Sequence, residues 1–306
     1  MTHRADVDGD GDGDDDVPPG DRRRRPPSRW WRSRALTAEE PQGAAEDEHR
    51  QLLADVGHEL KSPLSIMLAL CGRLEDSGRL AGEDAEDVAR IRANAYTMLR
   101  RVQDLMLMAR LENAEQQLEA AVVDVAEIVR SCVDGFAAIA AQRDLDLRVS
   151  VPDHLTAVAD EEKVVSVVSN LLANAIRHAS HGGVVRCTLS SSPGRLILEV
   201  ADDGSGVPPD QREAIFERYR RGSRSSGTGL GLAIVGEIAA LHGGVVAVGD
   251  APEGGALFTV ELPLRTQRTS TEATRPAGPP SLVLADRQKA IVEDLRGELD
   301  SAAGRA

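Results

Sequence analysis

Between residues 46 and 113 the apolar side chains recur at alternating spacings of three and four, the repeat that turns one stripe of a helix toward a partner. The first stripe runs Leu53, Val56, Leu60, Pro63, Met67, Leu70 and Leu74. The second runs Val88, Ile91, Ala95, Met98, Val102, Leu105 and Ala109, widened by Met108 and Leu111. Between them, in SGRLAGED, Gly78 and Gly82 can end one helix, while Glu83 and Asp84 favour the start of the next. The pattern predicts a helical hairpin. A lone hairpin with two such stripes buries too little, so two copies are expected to associate as a homodimeric four-helix bundle.

Residues 120–264 change period. Strand-like runs such as VVRCTLS and RLILEVAD alternate with helical ones such as EKVVSVVSNLLANAIRHA, which predicts an α/β domain. On either side the chain has little to bury. Residues 1–45 pass from an acidic Asp/Gly tract into RRRRPPSRWWRSR and read as a disordered tail. Asp6, Asp8, Asp10 and Gly11 imitate a calcium loop, but Val17 stands where the bidentate Glu belongs, so calcium is rejected. The arginines of 22–34, with Trp30 and Trp31, also suit an anionic membrane surface, a peripheral contact weighed against the favoured solvated arm. Residues 265–306 are expected to be a linker, then a short strand and an amphipathic helix in SLVLADRQKAIVEDLRGELDS.

Composition narrows the class. With aromatics at 2% the cores must be aliphatic, and a net charge of -14 argues against nucleic acid as the partner of the whole chain. Cys71, Cys132 and Cys187 are isolated, with no metal-ligand spacing, and read as buried thiols. No apolar run is long enough to span a bilayer and no secretory signal opens the chain, so a cytoplasmic location is expected.

Four stretches carry chemistry. In GHELKSPL, placing Leu53 and Leu60 at heptad position a puts His58 at f, facing away from the helical core. There it can act as a nucleophile, with Glu59 fixing the ring tautomer and accepting its proton. A surface His beside a Glu is common; Pro63 distinguishes this one, because proline inside a helix costs about 3 kcal/mol. In the helix from Lys163 to Ala179, Asn170 and Asn174 share a face, followed by Arg177 and His178. An amide oxygen suits Mg2+ and a guanidinium suits phosphate, although capped or core-satisfied asparagines explain this helix equally well on its own. Asp202, with Gly204 and Gly206, follows a strand and can accept a hydrogen bond from an adenine amino group; a tight Asp/Gly turn is the plainer reading. Finally, Gly227-Thr228-Gly229-Leu230-Gly231 opens an apolar helix whose free N–H groups and positive dipole end can cradle phosphate. This is GxGxG rather than GxGxxG, and no GKS/T follows, so neither a Rossmann fold nor a P-loop is supported.

In this order and spacing the stretches resemble the sensor histidine kinases of two-component systems, over roughly residues 46–264. GHELKSPLS looks like the family's H box, SNLLANAIRHA its N box, DDGSGVP and GTGLGLAIV its glycine boxes and IFERYRRG its F box. The resemblance implies a dimerisation bundle followed by a Bergerat-type ATP-binding sandwich. It implies that His58 accepts phosphate from Mg-ATP with Glu59 as base, and then donates it to an aspartate of a response regulator. It makes Asn174 the main magnesium ligand with Asn170 beside it, Arg177 a phosphate contact, Asp202 the adenine reader, and Gly227, Gly229 and Gly231 the phosphate loop. Ser62 replaces the family's more usual threonine or asparagine, which leaves phosphatase action open, and His178 replaces an aromatic beside the adenine. The family's usual membrane-spanning sensor is missing, which implies a soluble signal or a fragment of a longer chain. A gyrase-like ATPase is the rival enzyme and a catalytically silent scaffold the rival binding module; the hairpin argues against the first and the intact glycine boxes against the second.

Overall fold

A computed structural model describes residues 43–111, 118–218, 229–264 and 282–303, with the side chains of 43–56, 58, 110, 282–286 and 301–303 excepted. The tail with its 22–34 stretch, and most of the linker, lie outside the described residues.

The hairpin forms from helix α1 (Gly43–Asp76) and helix α2 (Glu83–Leu111). The break falls where glycine permits it: Gly78 has φ 63° and Gly82 φ 57°, and Glu83, Asp84 and Glu86 fill the first turn of α2. Helix α1 runs unbroken through Pro63. Lacking an N–H, Pro63 leaves the Glu59 carbonyl without its helical donor.

On α1 the contact uses a different edge of the stripe from the one the repeat singles out, while on α2 Ala95 and Val102 of the expected stripe take part. Leu64 is buried, with Leu68 beside it, against Ala95, Tyr96, Leu99 and Val102, and Cys71 is buried two turns further along α1. Leu60, Met67, Leu70, Leu74, Ile91 and Met98, all expected in the seam, are exposed. The apolar stripe is wider than one neighbour covers, so α2 takes the edge one residue along and leaves the rest facing outward.

The α/β domain opens with strand β1 (Ala121–Asp124), helix α3 (Val125–Gln142), strand β2 (Asp146–Ser150) and strand β3 (Thr156–Ala159). Helix α4 (Glu161–His178), strands β4 (Val184–Ser192) and β5 (Arg195–Asp202), helix α5 (Gly231–Leu241), and strands β6 (Val245–Asp250) and β7 (Ala256–Pro263) follow. β1 and β3 pair antiparallel, with Ala121 opposite Ala159. The main sheet has the order β2-β4-β5-β7-β6, antiparallel except for the β2/β4 pair. Buried and half-buried residues alternate along β4 and β7, as a sheet covered on one face requires. The core is aliphatic as expected: Ile139, Leu171, Leu172, Ile176, Ile234 and Ile238 have no exposed surface, and Phe136 and Phe258 are the large aromatics among them. Its thiols behave as buried hydrophobes, since burial pushes Cys132 and Cys187 up to about 12.

The last helix, α6 (Leu282–Ala303), packs against α2, α3 and α4. It is helical from Leu282, where the sequence reading expected a strand. Leu282–Asp286 instead take the structure of the amphipathic segment they precede. No described helix is long and apolar enough to cross a membrane.

Candidate functional site

His58 lies in α1, within a run that is helical on both sides; its side chain is outside the described ones. The adjoining Glu59 and the next turn's Ser62 are exposed. Gly57 is buried, and a β-carbon there would collide with the Met106 side chain of α2. The Met106 side chain therefore packs onto the α1 backbone immediately before the histidine.

The second half of the site is built on α4. Asp160 caps its start, its Oδ1 accepting from the Lys163 N–H at 3.2 Å and its Oδ2 pairing with the Lys163 ammonium at 2.5 Å. The Asp160 N–H in turn donates to Nε2 of His242 at 3.2 Å. Since Nε2 accepts, Nδ1 carries the hydrogen and donates it to the Ile238 carbonyl at 2.9 Å. One buried neutral imidazole thus ties the end of α5 to the start of α4. At the other end of α4, the Arg143 guanidinium holds the carbonyls of Ile176 and, at 3.0 Å, Ala179.

Between these anchors stand the polar residues. Asn170 is buried and gives its amide N–H to the Ser166 carbonyl at 2.9 Å, while its Oδ1 has no hydrogen-bond partner. That oxygen sits 2.7 Å from where a β-carbon on Gly231 would be. Glycine at the head of α5 is what lets the two helices approach. α5 begins without a side-chain cap, so its first N–H groups point toward the same region. Gly229 and Leu230 precede it as described residues; Gly227 and Thr228 lie outside them. Asn174 follows Asn170 by one turn and is half-buried, as is Arg177, whose Nε donates to Glu298 of α6 at 2.8 Å. His178 is exposed at the end of α4, yet crowding by its surroundings, then Arg177 and Arg143, hold its imidazole below the ordinary histidine value.

At the end of β5, Asp202 is buried, with Oδ1 accepting from the N–H groups of Gly204 at 2.9 Å and Ala256 at 3.3 Å. Its Oδ2 is buried with no partner, and burial raises the carboxyl above its ordinary value. A side chain at Gly204 would strike the His178 carbonyl, so the loop closes tightly on the end of α4. An unpaired acceptor at a strand end, an orphaned amide oxygen on α4 and an uncapped helix head are groups that a nucleotide can satisfy.

Residues 48–114 match the model of the His Kinase A (phospho-acceptor) domain, and residues 159–266 that of the histidine kinase-, DNA gyrase B- and HSP90-like ATPases. The chain belongs to the sensor histidine kinases of two-component systems. It is 39% identical over 222 residues to the sensor histidine kinase TmoS of Ectopseudomonas mendocina, a match covering 69% of this chain and 22% of that protein. With SenX3 of Mycobacterium tuberculosis it shares 32% over 227 residues, covering 71% and 54% respectively. With BaeS of Escherichia coli it shares 33% over 220 residues, covering 70% and 47%. The chain thus spans from about a fifth to about half the length of these curated relatives. Among solved structures, full-length ShkA in complex with AMPPNP superposes with a TM-score of 0.60 and 32% identity, over 71% of this chain and 46% of that one.

Within this histidine kinase, the fold brings Asn170, Asn174, Arg177, Gly229, Leu230 and Gly231 to one side of α4, and Asp202, Gly204, Gly206 and His178 to its far end. His58, Glu59 and Ser62 stand apart on the hairpin. Sequence reasoning missed Arg100 of α2, whose Nη2 comes 3.9 Å from the same β-carbon position at Gly231. It also missed the acidic face of α6. An arginine in a heptad and acids in a terminal helix carry no local signal; the packing of α2 and α6 on α4 gives them their place.

Proposed function

We propose that this histidine kinase phosphorylates itself on His58 from Mg-ATP and passes the phosphoryl group to an aspartate of a response regulator. The observation that carries the reading is the buried, unpartnered Oδ2 of Asp202, an acceptor placed for the amino group of adenine. The phosphate end falls to the head of α5 and to Arg177. Asn174, with the orphaned Oδ1 of Asn170 beside it, would hold magnesium, which when bound offsets charge on the transferred group.

In the transfer, a His58 imidazole nitrogen forms a bond to the γ-phosphorus as the bridging P–O bond to the β-phosphate breaks, and ADP leaves. Glu59 takes the proton from the ring. The phosphoimidazole then donates to a carboxylate of the receiver. Ser62, exposed one turn after His58, is the hydroxyl a dephosphorylation of the regulator would use. The outward stripe from Leu60 to Leu74, with Ile91 and Met98, supports a homodimer built on the hairpin, because aliphatic side chains of this size gain roughly 1.5–3 kcal/mol each on full burial.

The test is incubation with γ-labelled ATP and magnesium. Acid-labile, base-stable label is expected in the natural chain, and none in His58→Gln, in Asn174→Ala or after chelation of the metal. Label surviving in His58→Gln overturns the acceptor assignment. ATP binding without any label favours a scaffold.

A further inference from the structure

Helix α6 lies beyond both matched regions, yet Ala290, Ile291 and Leu295 have no exposed surface. Its polar residues engage the hairpin and the nucleotide domain at once. Arg287 gives Nη2 to Asp104 of α2 at 2.9 Å and Nε to Ser166 of α4 at 3.2 Å. Two turns further on, Asp294 accepts from Arg100 of α2 at 2.5 Å, and Glu298 accepts from Arg177 of α4 at 2.8 Å. Asp294 and Glu298 are one helical turn apart, so their carboxylates share a face.

Both guanidinium groups belong to the region described above. Arg177 follows Asn174 on α4, and Arg100 reaches the gap between Asn170 and Gly231. Their pairing with α6 is buried but incomplete: Arg100 Nε, Arg177 Nη2 and Asp294 Oδ1 are enclosed without hydrogen-bond partners. A guanidinium presents a planar fork that suits phosphate as well as carboxylate, and the phosphates of a nucleotide offer more acceptor oxygens than two carboxylates that each accept one bond.

We propose that α6 is an intramolecular competitor of the nucleotide: Asp294 and Glu298 occupy Arg100 and Arg177 in place of phosphate oxygens, and α6 must withdraw before the triphosphate engages them. This rests on the nucleotide reading of the site. A competitor on the same chain lowers the apparent affinity by the fraction of molecules that are open. It also braces the hairpin against the nucleotide domain through Arg287, so release frees both.

The experiment is calorimetric titration of the full chain with magnesium and the non-hydrolysable analogue AMPPNP, for the natural chain, Glu298→Gln and the double variant Asp294→Asn/Glu298→Gln. Affinity is expected to rise at least fivefold in Glu298→Gln and further in the double variant. In the natural chain, AMPPNP is expected to speed hydrogen exchange across 287–299. Unchanged or weaker affinity in the variants overturns the proposal, as does slower exchange of 287–299 on binding. Equal affinities with His58 still labelled remove this inference and leave the kinase reading standing. No binding by any of the three chains sinks both.

Discussion

Gly57 of α1 lies against the Met106 side chain of α2 with no room for a β-carbon between them. A glycine in mid-helix costs up to about 1 kcal/mol in propensity relative to alanine, so its presence calls for a packing reason. Gly57→Ala should therefore destabilise the hairpin, because overpacking costs about 1–3 kcal/mol and outweighs the helix gain. In a Met106→Ala background the same change should be stabilising. Urea unfolding of the four chains reads the reversal of sign; an equal effect in both backgrounds would mean that contact with Met106 does not explain the glycine.

Asp202 links stability to function in opposite directions. Its folded carboxyl titrates above its unfolded value, so the folded chain holds the proton over a pH range where the unfolded chain has lost it. Stability from this group is therefore greatest at acid pH and falls as pH rises through the folded value. Asp202→Asn should remove that slope and raise the melting stability of the nucleotide-free domain at neutral pH by roughly 1 kcal/mol, since a buried carboxylate oxygen without a partner is costly. The same variant should bind nucleotide more weakly. Thermal melts across pH, paired with nucleotide titration, check both halves.

The buried pair of Asp104 and Arg287 makes a third case. Their side chains are 0% and 8% exposed, and Asp104 is shared with Arg100 at 3.8 Å, so removing Arg287 leaves a buried carboxylate short of one partner, at a cost of about 3 kcal/mol. Arg287→Met should release α6 and accelerate hydrogen exchange over 287–299. Adding Asp104→Leu should restore much of the protection, because two apolar side chains need no pairing and Arg100 keeps Asp294. Exchange in the double variant as fast as in the single one would contradict this.

The parts legible beforehand were those governed by short-range pattern. The hairpin with its break at Gly78–Gly82 followed from spacing and turn chemistry, as did the alternation of β4 and β7. Asn170 and Asn174 could be placed on one face of α4 because helical geometry alone decides that. The residues that the reading missed depend on contacts between distant segments. Which edge of the α1 stripe meets α2 is settled by Leu64 and Leu68 fitting against Tyr96 and Leu99, a choice that a repeat of threes and fours leaves open. Arg100 and Glu298 likewise acquire a role through what faces them. The Leu282–Asp286 run has strand-forming residues, but it is continuous with the amphipathic helix that follows and takes that helix's structure.

Arg100 and Asp294, joined at 2.5 Å, are 194 residues apart in the chain. During synthesis the hairpin and the nucleotide domain emerge before α6 and can fold as units. Every newly made molecule therefore passes through an interval in which Arg100 and Arg177 have not yet met Asp294 and Glu298. Closure waits on the synthesis of the residues that separate α6 from the two arginines it engages.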